Sequence, residues 1–253
     1  MKLTWQDGDG KVLASPSGDL YRCQVCHDGG FVHPKKPDGL TDWSQVVRCE
    51  CKAKEDRRER AWRFLSMCEL PRATEDQTFE TFERFPDLEE AYRLALGVAE
   101  GSEEWLVLVG GVDCGKTHLA IAICRQWLER EHPARYAWVP SLLDELRAGY
   151  NAKDDVRDGF DYRFKVYCTV PLLVLDDLGA EKTSIWATEK LTTIIHSRLM
   201  NGLPLVVTTN RPLDELPSDD DHRIASRLQR HYRARIVVMD VPEYRLRRGT
   251  GQK

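Results

Sequence analysis

From Trp105 onward the chain alternates short apolar runs with longer stretches in which apolar residues recur every three to four positions. The runs lie near 105–110, 135–139, 171–176, 204–209 and 235–239. Apart from Arg135, Arg235 and the polar ends of the third and fourth runs, they are continuously apolar rather than alternating, which predicts strands buried on both faces. Helical patterns fall between them, near 116–130, 141–149, 185–201 and 222–232; Leu119, Ala120, Ile123, Cys124, Trp127 and Leu128 form the stripe of the first. Strand–helix alternation of this kind predicts an α/β domain whose parallel sheet carries helices on both sides. Upstream, a helix is expected over about 87–100, an irregular connector after Pro71, and a charged helix over 52–67. Residues 1–51 are rich in Gly, Asp and Pro. The natural boundary lies near residue 70, giving a small module over 1–69 and the α/β domain over 70–253.

The first apolar run enters Gly110-Gly111-Val112-Asp113-Cys114-Gly115-Lys116-Thr117-His118. This is G-x-x-x-x-G-K-T between a strand and a helix, the arrangement of a phosphate-binding P-loop. Backbone N–H groups of a tight loop converge on phosphate at the positive end of the following helix. Lys116 supplies a point charge at the β- and γ-phosphates, and the Thr117 hydroxyl takes one Mg²⁺ position. The run at 171–176 ends in Asp176-Asp177, sixty residues after Lys116. Asp176 suits the Mg²⁺ shell, and Asp177 suits orientation or deprotonation of the attacking water; Glu181 is a spare candidate for that base. The run at 204–209 ends in Thr208-Thr209-Asn210. Because parallel strands end at one ligand crevice, Asn210 is expected beside the γ-phosphate, with Thr208 and Thr209 as weaker candidates. Arg223 and Arg227 share a helix face four residues apart. They fit either a solvated basic helix or an arginine finger offered to a neighbouring subunit.

Composition changes this picture mainly at the N-terminus. Cys23-Gln-Val-Cys26 and Cys49-Glu-Cys51 are two close pairs with twenty-two residues between them. That is the ligand spacing of a structural Zn²⁺ site, with His27 or His33 as possible substitutes for one thiolate. A segment of about fifty residues with few large apolar side chains needs such a staple. Cys23-x-x-Cys26-His27 also matches a haem-attachment string, but that chemistry requires export, and the N-terminus shows no apolar h-region. The other four cysteines, Cys68, Cys114, Cys124 and Cys168, read as packing residues, with Cys114 a possible target for alkylation inside the P-loop. No apolar stretch is long enough to span a bilayer, so a cytoplasmic setting is expected. The net charge of −4 advertises no nucleic acid, yet Arg223–Lys253 carries nine Lys and Arg against two acids.

Taken together, the P-loop sequence, Leu172-Leu-Val-Leu-Asp-Asp-Leu-Gly-Ala-Glu-Lys182, Val206-Val-Thr-Thr-Asn210 and Arg223-Ile-Ala-Ser-Arg-Leu228 resemble the AAA+ ATPases that load replicative helicases. The likeness is to DnaC/DnaI-type loaders and the related IstB transposition helper, over roughly residues 70–248. It implies ATP and Mg²⁺ as cofactors and a five-stranded sheet in the order 5-1-4-3-2. Asp176 and Asp177 then correspond to Walker B, Asn210 to sensor 1, Arg227 to the finger, Thr78–Phe82 to a linker touching adenine, and Arg245 to a weaker second sensor. The loaders often have Gly where this chain has Asp113, a residue that tolerates positive φ better than most. The resemblance also implies that the cysteine module meets the helicase, and that the protein assembles as a homo-oligomer on ATP or helicase binding.

Two further surfaces invite a functional reading. Lys52, Lys54, Arg57, Arg58, Arg60 and Arg63 surround Trp62 and Phe64, as a contact face or simply a solvated helix. Between residues 141 and 169, Lys153, Arg157, Arg163 and Lys165 are interleaved with Tyr150, Phe160 and Tyr162, a pattern suited to single-stranded DNA. The expected function is ATP-dependent delivery of a hexameric replicative helicase onto single-stranded DNA. The alternatives are an IstB-like transposition helper and a Zn-dependent nucleic-acid-binding module holding ATP as a structural ligand. A small-molecule kinase would need a substrate lid and no finger.

Overall fold

The computed structural model describes residues 21–150, 159–181, 184–216, 223–230 and 234–241, and the chain divides into two compact units, 1–60 and 61–253. In the first, β1 (Phe31–Val32) pairs antiparallel with β2 (Val47–Arg48), with Val32 opposite Val47. Helix α1 (Glu50–Cys68) begins one residue after Cys49 and spans the junction between the units. The side chains of Arg57, Arg58, Arg60, Trp62 and Arg63 lie outside the described set, as do Lys153, Arg157 and Arg245.

The second unit contains α2 (Glu89–Glu100), β3 (Trp105–Gly110), α3 (Lys116–Glu129), β4 (Ala134–Trp138), α4 (Val139–Gly149), α5 (Phe160–Thr169) and β5 (Leu172–Asp176). It continues with α6 (Ile185–Met200), β6 (Leu205–Thr209), α7 (Arg223–Arg230) and β7 (Ala234–Met239). All five strands are parallel, in the order β4-β5-β6-β3-β7. Numbered along this domain, that is the expected 5-1-4-3-2.

Strand residues alternate between two cores, as pleating requires. Leu106, Leu108, Leu172, Val174 and Val206 face α2 and α3, whereas Trp105, Val107, Leu173, Leu175, Leu205 and Val207 face α4 to α7. Burial on both faces explains why the three central strands β3, β5 and β6 read as nearly unbroken apolar runs, whereas edge strand β7 leaves Ile236 and Val238 exposed. Local signals set helix ends: Gly101 closes α2 in the left-handed region (φ 83°), and the Ser184 hydroxyl accepts the Ala187 N–H at 3.2 Å to open α6. Among the described residues no helix is long and apolar enough to cross a membrane.

One polar group lies deep in this frame. Arg198 on α6 is fully buried and donates to the carbonyls of Tyr167 (3.1 Å), Val170 (2.9 Å), Pro171 (3.2 Å) and Pro204 (2.5 Å). It thereby ties together the segments that enter β5 and β6. Burial pulls its pKa down to about 9, still above neutrality, so the guanidinium stays charged. Arg198→Met keeps the bulk but strands these acceptors. It is expected to cost roughly 3–5 kcal/mol, measured as a lower denaturation midpoint in urea. A loss below about 1 kcal/mol would show that the carbonyls find other donors.

Candidate active site

The site is assembled at the carboxyl ends of the strands, where an α/β sheet presents its crevice. Between β3 and α3 the chain must turn sharply, and Asp113 (φ 61°) and Gly115 (φ 94°) both take the left-handed region. Asp113 thus occupies the conformation that a glycine would ordinarily supply. At Gly110 a Cβ would stand 2.5 Å from the Met239 carbonyl oxygen on β7, so the loop's first glycine is required by close packing. The Lys116 ammonium donates to the carbonyls of Gly110 (3.0 Å) and Gly111 (2.5 Å), with the Cys114 sulfur at 3.4 Å. Cys114 is 1 % exposed, so the ready alkylation considered for it is opposed by burial.

Above the loop lies a cleft of about 560 Å³. Val112, Asp113, Cys114, Gly115, Lys116, Thr117 and His118 form its floor, and Asp176, Asp177, Thr208 and Asn210 form one wall. The Thr117 hydroxyl lies 3.0 and 3.2 Å from the two Asp176 oxygens. One hydroxyl and one carboxylate this close suit a hard divalent cation such as Mg²⁺, which takes few protein oxygens and completes its shell with phosphate and water. Asp176 also accepts from the hydroxyls of Thr208 (2.7 Å) and Tyr136 (2.7 Å). Burial and the neighbouring Asp176 carboxylate push the Tyr136 phenol upward, which keeps it protonated as a donor.

Asp177 sits in the left-handed region (φ 60°), held by its N–H to Thr208 Oγ1 (2.8 Å). Its Oδ1 accepts from Asn210 Nδ2 at 2.7 Å. The second carboxylate and the amide expected from two different strands therefore meet. Thr209 is fully buried and caps Arg211 N–H at 3.0 Å instead of entering the cleft. Glu181 is buried and accepts the Gly179 N–H at 2.8 Å; burial raises its carboxyl, and it does not line the cleft. Arg227 on α7 is half-buried and likewise does not line it, whereas the Arg223 side chain lies outside the described set.

His118 turns away from the loop to tie down the preceding connector, with Nε2 2.8 Å from the Thr78 carbonyl oxygen. In that connector Phe79 and Phe82 are buried, and the Phe82 ring meets His118 edge-on at 5.1 Å. Large rings are worth more inside the core than beside a polar ligand. The connector meets the cleft through Ala73, Asp76 and Gln77 instead.

In the N-terminal unit the sulfurs of Cys23, Cys26, Cys49 and Cys51 lie within 4.8 Å of one another. Cys23 and Cys49 are 3.7 Å apart, and Cys26 and Cys51 are 3.3 Å apart. Tetrahedral Zn²⁺ with sulfur at about 2.3 Å demands edges of about 3.8 Å, so the donor set fits that ion. The first pair is presented by a tight turn in which His27 N–H reaches the Cys23 carbonyl (2.9 Å) and Asp28 accepts the Cys23 N–H (2.9 Å). Backbone N–H groups of Cys26 and Val25 lower the Cys23 thiol to about 6, while the adjacent Cys26 pushes Cys51 upward. Neither histidine joins the cluster: the His27 ring stacks on Tyr21, and His33 Nδ1 lies 2.7 Å from the Gln45 carbonyl.

The family of IstB-like ATP-binding proteins matches residues 43–249. The chain belongs to that family. It is an AAA+ ATPase of the IstB-like type. It is 30 % identical over 117 residues to the replicative helicase loader DnaI of Bacillus subtilis, covering 46 % of this chain and 36 % of the relative. It is also 27 % identical over 152 residues to an insertion-sequence protein of Mycobacterium tuberculosis described as ATP-binding, covering 59 % of each. The chain thus spans about a third to three-fifths of these relatives' lengths. The crystal structure of DnaI superposes with a TM-score of 0.57 at 23 % identity, over 72 % of this chain and 99 % of that one. This likeness shows the shared fold.

Two residues beside this ATPase's cleft escape a sequence reading: Tyr136 and the half-exposed Trp138, both on edge strand β4. Their signal is weak, because aromatics in a strand are usually core.

Proposed function

We propose that this ATPase escorts a hexameric replicative helicase onto single-stranded DNA. The observation that carries the reading is the sequence similarity to the loader DnaI, set beside a complete acid–amide–lysine cleft. In this reading Lys116 and the loop N–H groups bind triphosphate, and Thr117 and Asp176 hold Mg²⁺. Asp177 activates water, and Asn210 orients both. Arg227 acts on the nucleotide of an adjacent copy, which accords with its position away from its own cleft. ATP binding then closes the interfaces of a homo-oligomer, and slow, partner-stimulated hydrolysis releases the helicase.

Residues 1–69 form the helicase-contacting module, folded around Zn²⁺ on Cys23, Cys26, Cys49 and Cys51, and residues 70–253 form the motor. Single-stranded DNA is assigned to the aromatic cluster at the ends of α4, α5 and α6. There Tyr150 stacks on Phe160 at 4.4 Å, Arg147 lies over Trp186 at 4.9 Å, and Tyr150 and Tyr162 remain exposed. Exposed rings beside cations suit unpaired bases and their phosphates.

The insertion-sequence relative favours a second reading, a transposition helper using the same motor. An assay of purified protein, ATP and circular single-stranded DNA separates the two. Under the first reading the replicative helicase becomes bound to the circle only with ATP. Stimulation by a transposase with no helicase transfer would establish the second. Absence of turnover with either partner would leave ATP as a structural ligand and overturn both.

A further inference from the structure

The arrangement of β4 bears on metal binding in a way that none of the motif residues reveals. This strand is at the edge of the sheet and pairs in parallel only with β5. Tyr136 lies opposite Val174, and Trp138 lies opposite Asp176. Side chains two residues apart share a face, so Tyr136 is the diagonal neighbour of Asp176, within reach of a long aromatic side chain. Its phenol spans that diagonal, and its hydroxyl donates to Asp176 Oδ2 at 2.7 Å. The ring is 7 % exposed and packs in the core shared with α3. This packing fixes where the hydroxyl lies.

Asp176 is consequently held from three sides. Tyr136 takes Oδ2, and Thr208 takes Oδ1 at 2.7 Å. Thr117 bridges both oxygens at 3.0 and 3.2 Å. The three donors have different fates once a cation arrives. Thr117 is the donor whose oxygen Mg²⁺ would claim, and its hydroxyl would then turn from the carboxylate to the ion. Tyr136 and Thr208 would remain on the carboxylate oxygens and hold its plane fixed. Thr208 is tied further, because its oxygen also receives the Asp177 N–H at 2.8 Å. Tyr136 has one polar task in the site, and removing its oxygen alters no other hydrogen bond described there.

We propose that Tyr136 is a positioning residue for Mg²⁺: it orients Asp176 so that the metal of Mg·ATP is captured at low free Mg²⁺. The proposal rests on the assignment of Asp176 to the metal, so the test carries a separate arm for that assignment. A fluorescent, non-hydrolysable ATP analogue is titrated with Mg²⁺ in wild type, Tyr136→Phe and Asp176→Asn, and thermal midpoints are recorded in parallel. Partners of metal-holding carboxylates typically carry 10–100-fold in metal affinity. For Tyr136→Phe the Mg²⁺ concentration for half-maximal tight binding should rise about 10-fold. Binding in EDTA should be unchanged, as should the maximum at saturating Mg²⁺.

If Tyr136 merely packs, Tyr136→Phe lowers the midpoint or leaves it unchanged while the Mg²⁺ curve stays within about twofold of wild type, and the proposal fails. If Asp176→Asn also leaves the curve unmoved, the assignment of the metal to Asp176 has failed instead. Tyr136→Leu, which loses ring and hydroxyl together, separates the two effects. Its curve should shift no further than that of Tyr136→Phe, whatever its stability.

Discussion

Asp177→Asn is expected to leave ATP bound and to slow its hydrolysis by a factor of about 10²–10⁴, the usual contribution of a positioned base. The substitution is nearly isosteric, and what holds Asp177 in place is mostly backbone: its left-handed φ and its N–H to Thr208 Oγ1. Asparagine tolerates that conformation. Its amide can turn an oxygen toward Asn210 Nδ2, so the 2.7 Å contact has a substitute. What the variant lacks is a carboxylate able to accept a proton from water. Single-turnover hydrolysis with saturating ATP, alongside equilibrium binding of a fluorescent analogue, reads the two quantities separately. Turnover within threefold of wild type would remove Asp177 from the chemistry. It would not promote Glu181, which lies outside the cleft and is committed to the Gly179 N–H.

If the four cysteines hold Zn²⁺ as proposed, its withdrawal is the second large perturbation. Among its described residues the N-terminal unit has one two-residue strand pair, and Val25, Phe31, Leu40 and Trp43 are exposed. These residues bury little apolar surface, so the proposed metal coordination would supply most of their stability. Structural Zn²⁺ in small peptides contributes about 10–16 kcal/mol of apparent binding energy at neutral pH. A strong chelator, or Cys49→Ser, is therefore expected to unfold this unit, seen as new protease cleavage between residues 21 and 50. ATP binding by the other unit should survive. Elemental analysis should return about one Zn per chain before treatment. An unaltered cleavage pattern after metal removal would show that the cysteines are not the staple.

Much of this protein is legible in its amino-acid order because its chemistry is written locally. The P-loop is contiguous, and Asp176, Asp177 and Asn210 each end an apolar run, so parallel pairing alone brings them to one edge. The cysteine pairs are legible for the same reason, each being presented by a single short stretch. Tyr136 is not, because its role depends on register: a slip of one residue between β4 and β5 would point it to the other face. Phe79 and Phe82 show the opposite difficulty. The resemblance to the loaders implies a ligand contact for Thr78–Phe82, but packing against Tyr92 and His118 takes both rings inward. The spare role for Glu181 falls away because a buried backbone N–H claims it.

The close approach of Gly110 to the Met239 carbonyl has an experimental consequence. That glycine opens the signature used to find nucleotide sites, yet its missing methyl group is what allows the outermost strand β7 to lie alongside β3. Substituting it would wedge the border of the domain open before any phosphate was met. A mutational screen scored by ATP retention would thus register misfolded, poorly soluble protein at this position and mistake an architectural demand for a ligand contact.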